Sequence, residues 1–183
     1  MRLPTQLSQR KLKSNKKNFG HIFILAGSSC FSGAASLSCL GALRSGAGLV
    51  TLGIPESLNN AFLKIKPLEA MTLSLPDTGN GSLSLSAFKK IMLFLKKTNV
   101  LIMGPGLGNN KSTVALIRKI VLETDRPLVL DADGLNALAG SKELLKIAQR
   151  AADIPIIMTP HLGEMARLTG FNIKEISQKR TRI

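Results

Sequence analysis

The chain has 183 residues, 25 Lys plus Arg against 11 Asp plus Glu, and 44% hydrophobic but only 4% aromatic residues. At roughly 150 residues per domain this is one domain, long enough to bury about 70% of its unfolded surface without disulfide staples. Two cysteines, Cys30 and Cys39, are too few for a disulfide framework, no apolar run reaches the roughly 20 residues of a membrane span, and Met1 to Gly20 lacks the apolar centre of a secretory signal. The expectation is a soluble, cytoplasmic domain that meets no membrane.

In chain order, Ile22 to Ala26 reads as a strand, followed by a Gly/Ser loop and a helix from Gly33 to Ser45 with Leu37, Leu40 and Leu43 as its apolar stripe. Leu49 to Gly53 is a second strand and Pro55 to Lys66 a short helix. Residues 67–84, rich in Ser, Gly, Pro and Thr, read as a surface loop with a strand near Ala70 to Leu75. Ser86 to Lys97 forms a helix with Phe88, Ile91, Met92 and Leu95 inward, then Val100 to Met103 a strand, and Ser112 to Leu122 a helix. Leu128 to Leu130 is a strand running into Asp131. Ser141 to Arg150 is a helix N-capped by Ser141, with Leu144, Leu145 and Ala148 inward. Ile154 to Met158 is the last strand, followed by a helix from Gly163 to Thr169. Strands separated by helices pair in parallel through right-handed crossovers, so the expected fold is a three-layer α/β/α domain with a mostly parallel sheet.

The net charge of +14 suggests nucleic acid until its distribution is counted. Residues 1–20 hold six basic groups (Arg2, Arg10, Lys11, Lys13, Lys16, Lys17) and no acid, and residues 171–183 hold Lys174, Lys179, Arg180 and Arg182 against Glu175. Residues 21–170 carry only fifteen basic against ten acidic groups. With no Trp, no Tyr and scattered Phe there is no stacking platform for single strands, so no nucleic-acid partner is expected.

Four loops at strand ends could carry chemistry, because ligands of such sheets sit beyond the carboxyl ends of the strands. Ala26 to Ala35 is small and glycine-containing, so a ligand can approach its backbone, and the helix N–H groups beyond it favour an anion; tight strand-on-helix packing explains it equally well. Arg44-Ser45-Gly46-Ala47-Gly48 reads as a glycine helix stop. Gly104-Pro105-Gly106-Leu107-Gly108 strips side chains from the face above the sheet, leaving backbone for a flat ring or a phosphate, or simply a buried turn. Asp131, Asp133 and Asn136 in DADGLN could hold Mg²⁺ through water or cap a helix starting at Gly134. Thr159-Pro160-His161-Leu162-Gly163-Glu164-Met165-Ala166-Arg167 offers an imidazole, a carboxylate and a guanidinium, and Glu164 and Arg167 are spaced to pair with each other. His21 abuts the first strand and reads as structural. No HxxH, CxxC or serine nucleophile elbow is present, so no metal ligand set is assigned.

The ordered set FGHIFILAGSSCFSGAASLSCLGALRSGAGLVTLGIPE, GPGLG, DADGLN and TPHLGEMARL resembles one family, the ADP- or ATP-dependent NAD(P)H-hydrate dehydratases of ribokinase-like fold, from Leu3 to about Gly170. The resemblance implies nicotinamide nucleotide repair: a hydro-lyase that dehydrates (S)-NADH or (S)-NADPH hydrate at the expense of ADP or ATP with Mg²⁺. It places Ala34, Gly106, His161, Gly163, Glu164 and Arg167 against the hydrated cofactor, His161 foremost, with Asp131, Asp133 and Asn136 in support. It implies an NAD(P)H-hydrate epimerase in the same repair path and leaves self-association into a homo-oligomer open. Asn15-Lys16-Lys17-Asn18 departs from the His-Lys-Gly usual before the Phe-Gly that opens the first strand. The family's Gly-x-Gly-Asp motif, with its general base, does not occur in these 183 residues, so no catalytic residue is assigned. The expected organisation is a basic extension over 1–20 and a C-terminally incomplete ribokinase-like domain over 21–183, inactive alone. The alternatives are a non-catalytic nucleotide-binding protein and another ribokinase-like small-molecule kinase.

Overall fold

The computed structural model describes residues 12–178, except the side chains of Glu143, Leu145 and Ala148. Its six strands are β1 (His21–Leu25), β2 (Leu49–Pro55), β3 (Met71–Leu75), β4 (Val100–Met103), β5 (Leu128–Leu130) and β6 (Ile156–Met158). The helices are α1 (Ser32–Arg44), α2 (Asn59–Ile65), α3 (Phe88–Leu95), α4 (Lys111–Glu123), α5 (Asp133–Asn136), α6 (Glu143–Arg150), α7 (Leu162–Thr169) and α8 (Ile173–Gln178). All strands pair in parallel in the order β3-β2-β1-β4-β5-β6. The chain therefore winds outward in one direction from β1 and in the other from β4, as in doubly wound sheets.

Side chains alternate across the sheet and define two cores. Phe23, Leu25, Leu101, Met103, Leu128 and Leu130 face one way, onto Ile91 and Leu95 of α3 and Leu116, Ile117 and Ile120 of α4. Ile24, Val50, Leu52 and Ile54 face the other way, onto Ala35, Cys39 and Ala42 of α1 and Phe62 of α2. The inward face expected of the third helix is borne out: Ile91 and Leu95 are buried while Phe88 and Met92 pack partly against the same core.

The stripe on α1 is different from the expected one. Leu37 is 70% exposed, and the buried residues are Ala35, Cys39 and Ala42, lying about one residue round the helix. Close approach is the reason: a Cβ on Gly27 would stand 2.9 Å from the Ala35 Cβ and 2.8 Å from Phe62 Cζ, so only small residues fit beneath α1. Burial pushes the Cys39 thiol up to about 11, against the pull of Lys66. Both cysteines are free.

A second correction concerns Ser141. Its hydroxyl donates to the Leu138 carbonyl, α6 begins at Glu143, and Lys142 occupies the cap position without a side-chain cap. Leu144 packs partly against the core, joined by Ile147, which is buried; Leu145 and Ala148 lie outside the described side chains. Gly46, with φ 100° just past α1, is the helix stop that was expected, while Gly48 is required because a Cβ there would meet the Lys16 carbonyl at 1.7 Å. His21 is structural: Nε2 lies 2.8 Å from Thr51 Oγ1, its ring stands edge-on to Phe94, and burial holds its pKa down against a backbone hydrogen bond at Lys97. Arg2, Arg10, Lys11, Lys179, Arg180 and Arg182 lie outside the described residues.

Residues 67–84 form a strand, β3, followed by a hairpin closed by an antiparallel bridge between Asp77 and Leu83. The Asp77 carboxylate accepts from Ser57 N at 2.8 Å and from Gly79 N at 2.7 Å. Burial acts to raise its pKa, but the hydrogen bonds from Ser57 and Gly79 outweigh it and hold the carboxyl below its usual range. A depressed carboxylate stabilises the fold above its unfolded pKa of about 3.9 and loses that contribution as pH falls through the folded value. Urea melts should therefore show Asp77→Ala destabilised near neutrality, with the gap from wild type closing under acid; a gap that widens in acid contradicts this.

Among the described residues no helix is long and apolar enough to cross a membrane.

Candidate functional site

At the boundary between β1 and β4 the chain leaves the sheet toward opposite faces, which opens a crevice beyond the strand carboxyl ends. Two glycine loops form its walls. They are tied together by a hydrogen bond from Gly27 N to the Pro105 carbonyl at 2.8 Å. The hairpin after β3 buttresses the first loop, since Ser29 N donates to the Gly81 carbonyl at 2.9 Å and Ser29 Oγ to the Asn80 carbonyl at 3.1 Å. Gly106 has φ 66°, and a Cβ there would stand 2.6 Å from Phe31 Cβ and 3.0 Å from Ala34 Cβ. The structure thus brings Ala34 and Gly106 side by side across the two loops.

The third wall is the turn after β5. A Cβ on Gly104, at φ 133°, would meet the Asp131 carbonyl at 1.8 Å, so the two backbones are in direct contact. Ala132 adopts φ 49° and ψ −118°, the one positive-φ residue other than glycine among those described. This strained backbone turns Asp133 toward the glycine loop. Asp133 makes no cap to its own helix; Oδ2 accepts from Gly108 N at 2.9 Å and Oδ1 from Asn136 Nδ2 at 3.3 Å.

The fourth element is α7, whose first turn is organised by His161. Its Nδ1 accepts from Gly163 N at 3.0 Å and from Glu164 N at 3.3 Å, which puts the ring hydrogen on Nε2, 3.2 Å from Glu164 Oε1. Glu164 Oε2 accepts from His161 N at 3.0 Å, completing a capping box, and Glu164 is buried. The spacing that allowed a Glu164–Arg167 pair is used otherwise: Arg167 Nε donates to Asn136 Oδ1 at 2.8 Å.

These walls enclose an open cavity of about 420 Å³ lined by Phe31, Gly108, Asn109, Asp133, Asn136 and Arg167. Arg167, Asp133 and Asn136 are at its surface, Ala34 and Gly106 meet behind Phe31, and His161, Gly163 and Glu164 form the helix start from which Arg167 projects. Phe31, 54% exposed, went unnoticed in the sequence. The available signal was a single aromatic side chain in a loop otherwise built of Gly, Ser, Ala and Cys. A bare backbone, one aromatic face and one guanidinium suit a flat ring carrying phosphate.

Both oxygens of Asp133 accept hydrogen bonds, while Glu164 Oε2 accepts from His161 N and Oε1 lies 3.2 Å from His161 Nε2. Among the described residues no three His, Cys, Asp or Glu side chains gather as a metal site.

The strand order, the layers and a crevice at the switch point define a doubly wound α/β architecture, and solved structures identify it as ribokinase-like. A ribokinase-like superfamily protein from Enterococcus faecalis matches with a TM-score of 0.69 at 22% identity, over 91% of this chain and 54% of that one. The ADP/ATP-dependent NAD(P)H-hydrate dehydratase of Bacillus subtilis, co-crystallised with ATP and Mg²⁺, matches with a TM-score of 0.68 at 30% identity, over 94% of this chain and 55% of that one. The bifunctional NAD(P)H-hydrate repair enzyme of Moorella thermoacetica is 37% identical over 98% of this chain and 33% of its own length. Residues 22–183 match the family described as NAD(P)H-hydrate dehydratase, and the chain belongs to that family. It spans about a third of the curated relative and just over half of the solved structures.

Proposed function

We propose that the crevice binds hydrated NADH or NADPH and that the chain provides the substrate side of an ADP- or ATP-dependent dehydratase. The supporting observation is the cavity at the switch point, where glycine backbone and Phe31 face Arg167 in a chain of this family. Hydroxide leaves the hydrated ring poorly. In the proposed reaction the hydrate's hydroxyl gives its proton to a base as its oxygen bonds to the donor's terminal phosphorus, and the donor's bridging P–O bond breaks so that the nucleotide leaves one phosphate shorter. The C–O bond then breaks as the ring nitrogen's lone pair pushes in, phosphate departs, and a proton lost from the neighbouring carbon restores the ring double bond.

The residues of this chain bind and orient the substrate in that scheme. Ala34 and Gly106 let the two loops close up behind Phe31, and Phe31 offers its face to the ring. Arg167 holds substrate phosphate, while His161, Gly163 and Glu164 fix the helix start that carries it. Asp131 contributes through backbone packing on Gly104. ADP or ATP is proposed as donor with Mg²⁺ carried on its phosphates, and turnover is proposed to require the Gly-x-Gly-Asp segment that these residues lack. A cytoplasmic setting and an epimerase that interconverts the hydrate's epimers complete the proposal.

Calorimetry with purified NADH hydrate tests it. Saturable heat that NADH itself does not match is expected; equal heats for the two ligands, or none for the hydrate, contradict it. Recovery of NADH absorbance with ADP or ATP and Mg²⁺ reads turnover in the same preparation, and turnover by the 183 residues alone overturns the requirement for the Gly-x-Gly-Asp segment.

A further inference from the structure

Asp133 and Arg167, opposite charges on neighbouring walls of one cavity, do not pair with each other. Asn136 stands between them. Its Oδ1 accepts from Arg167 Nε at 2.8 Å and its Nδ2 donates to Asp133 Oδ1 at 3.3 Å. The other Asp133 oxygen, Oδ2, accepts from Gly108 N at 2.9 Å. The amide's orientation follows from its neighbours, since its oxygen must face the guanidinium and its nitrogen the carboxylate.

We propose that Asn136 is a positioning residue that insulates Arg167 from Asp133, and that Asp133 and Asn136 together aim the Arg167 guanidinium at the phosphate of a bound nucleotide.

A direct Arg167–carboxylate pair would be bidentate and would neutralise the charge the cavity presents to an anion. The amide fixes Nε through one hydrogen bond while leaving the positive charge intact. Among the described residues neither Nη1 nor Nη2 has a hydrogen-bond partner, and both nitrogens belong to a side chain at the cavity surface. Gly163 leaves room for the His161 ring, since a Cβ there would stand 3.0 Å from His161 Cε1, and it would meet Arg167 Nη1 only at an ordinary contact distance of 3.7 Å. The same relay connects the guanidinium to the glycine loop through Gly108, so the two phosphate-facing parts of the crevice keep a fixed separation.

The proposal deepens the substrate reading and rests on it only for the identity of the ligand. Two probes keep the two apart: NADH hydrate and inorganic pyrophosphate, each titrated calorimetrically into the full chain and its variants. Asn136→Ala should weaken both by about tenfold, the worth of one charge-assisted hydrogen bond. Asn136→Asp, which hands Arg167 a carboxylate, should weaken both more than Asn136→Ala does. In an Arg167→Ala background, Asn136→Ala should change affinity less than twofold, because nothing remains to be aimed; independent tenfold losses overturn the relay.

Solvent exchange of the Arg167 Nε–H, read by NMR on the ligand-free chain, tests the relay without any ligand. Near-isosteric Asp133→Asn should accelerate that exchange although it does not touch Arg167, and an unchanged rate in a folded variant contradicts the proposal. If wild type binds pyrophosphate in the expected Asn136-dependent way but not NADH hydrate, the substrate reading falls and the relay stands. If it binds the hydrate with no Asn136 dependence, the relay falls and the substrate reading stands.

Discussion

Gly104→Ala is expected to be the most damaging single substitution in the site, costing about 4 kcal/mol or more and abolishing ligand binding with it. Two effects add. The backbone there has φ 133°, outside what an L side chain readily adopts, and the new Cβ would lie 1.8 Å from the Asp131 carbonyl oxygen. Neither side can yield cheaply. Gly104 N donates to the Leu25 carbonyl at 3.1 Å, and Asp131 N donates to the Met103 carbonyl at 3.2 Å, so both backbones are anchored to the sheet. Any shift would also move Gly134, whose own missing Cβ lets it lie against the Met103 carbonyl. Denaturant unfolding of the variant measures the cost; a loss below about 1 kcal/mol would mean that the two turns are not packed as described. Gly79→Ala is the matched control, since a Cβ there meets nothing within 4 Å although φ is 77°.

Arg167→Ala is expected to leave the fold nearly untouched while weakening NADH hydrate roughly 30- to 100-fold. Arg167 is exposed and near the end of α7, and its one hydrogen bond among the described residues is to Asn136. Its removal deletes the cation at the cavity surface, and truncating one member of a charged contact costs about 2–5 kcal/mol in binding, where 1.4 kcal/mol is tenfold. Arg167→Lys should recover only part of the loss, because an ammonium cannot donate to Asn136 and grip phosphate with a planar fork. Calorimetry and a thermal melt on the same preparation separate the outcomes. Full affinity in Arg167→Ala would remove Arg167 from the site, and a large drop in melting temperature would give it a structural task instead.

Much of the architecture was legible in sequence because its signals are local. Val100 to Met103 and Leu128 to Leu130 are short apolar runs bounded by loop residues, and both strands fall where expected. Boundaries drifted where a turn intervened: the helix expected from Pro55 begins as a short 3₁₀ turn over Glu56–Leu58 before α2. The α1 stripe was misjudged because leucines outweigh alanines in any reading by hydrophobicity. What selects the buried face is the distance to Gly27 and Phe62, which no local window contains.

The site divides in the same way. Its loops could be located because glycines and polar residues at strand ends are visible as motifs, and the family resemblance singled out Ala34, Gly106 and Arg167 within them. The pairing between loops could not be located. Asp133 looked like a cap for its own helix, yet it bonds to Gly108, 25 residues earlier, and Arg167 was matched with Glu164 rather than with Asn136, 31 residues earlier. Both outcomes depend on β4, β5 and β6 lying side by side, a property of strand order rather than of any segment.

The most direct test of the account is a crystal structure of the chain soaked with NADH hydrate. Ligand density is expected at the carboxyl ends of β1 and β4, with the ring on Phe31 and the Gly106–Gly108 backbone and phosphate at Arg167. Density instead in the basic hollow of about 250 Å³ at the opposite end of the sheet, between Lys17, His21, Lys97 and Asn99, would contradict it.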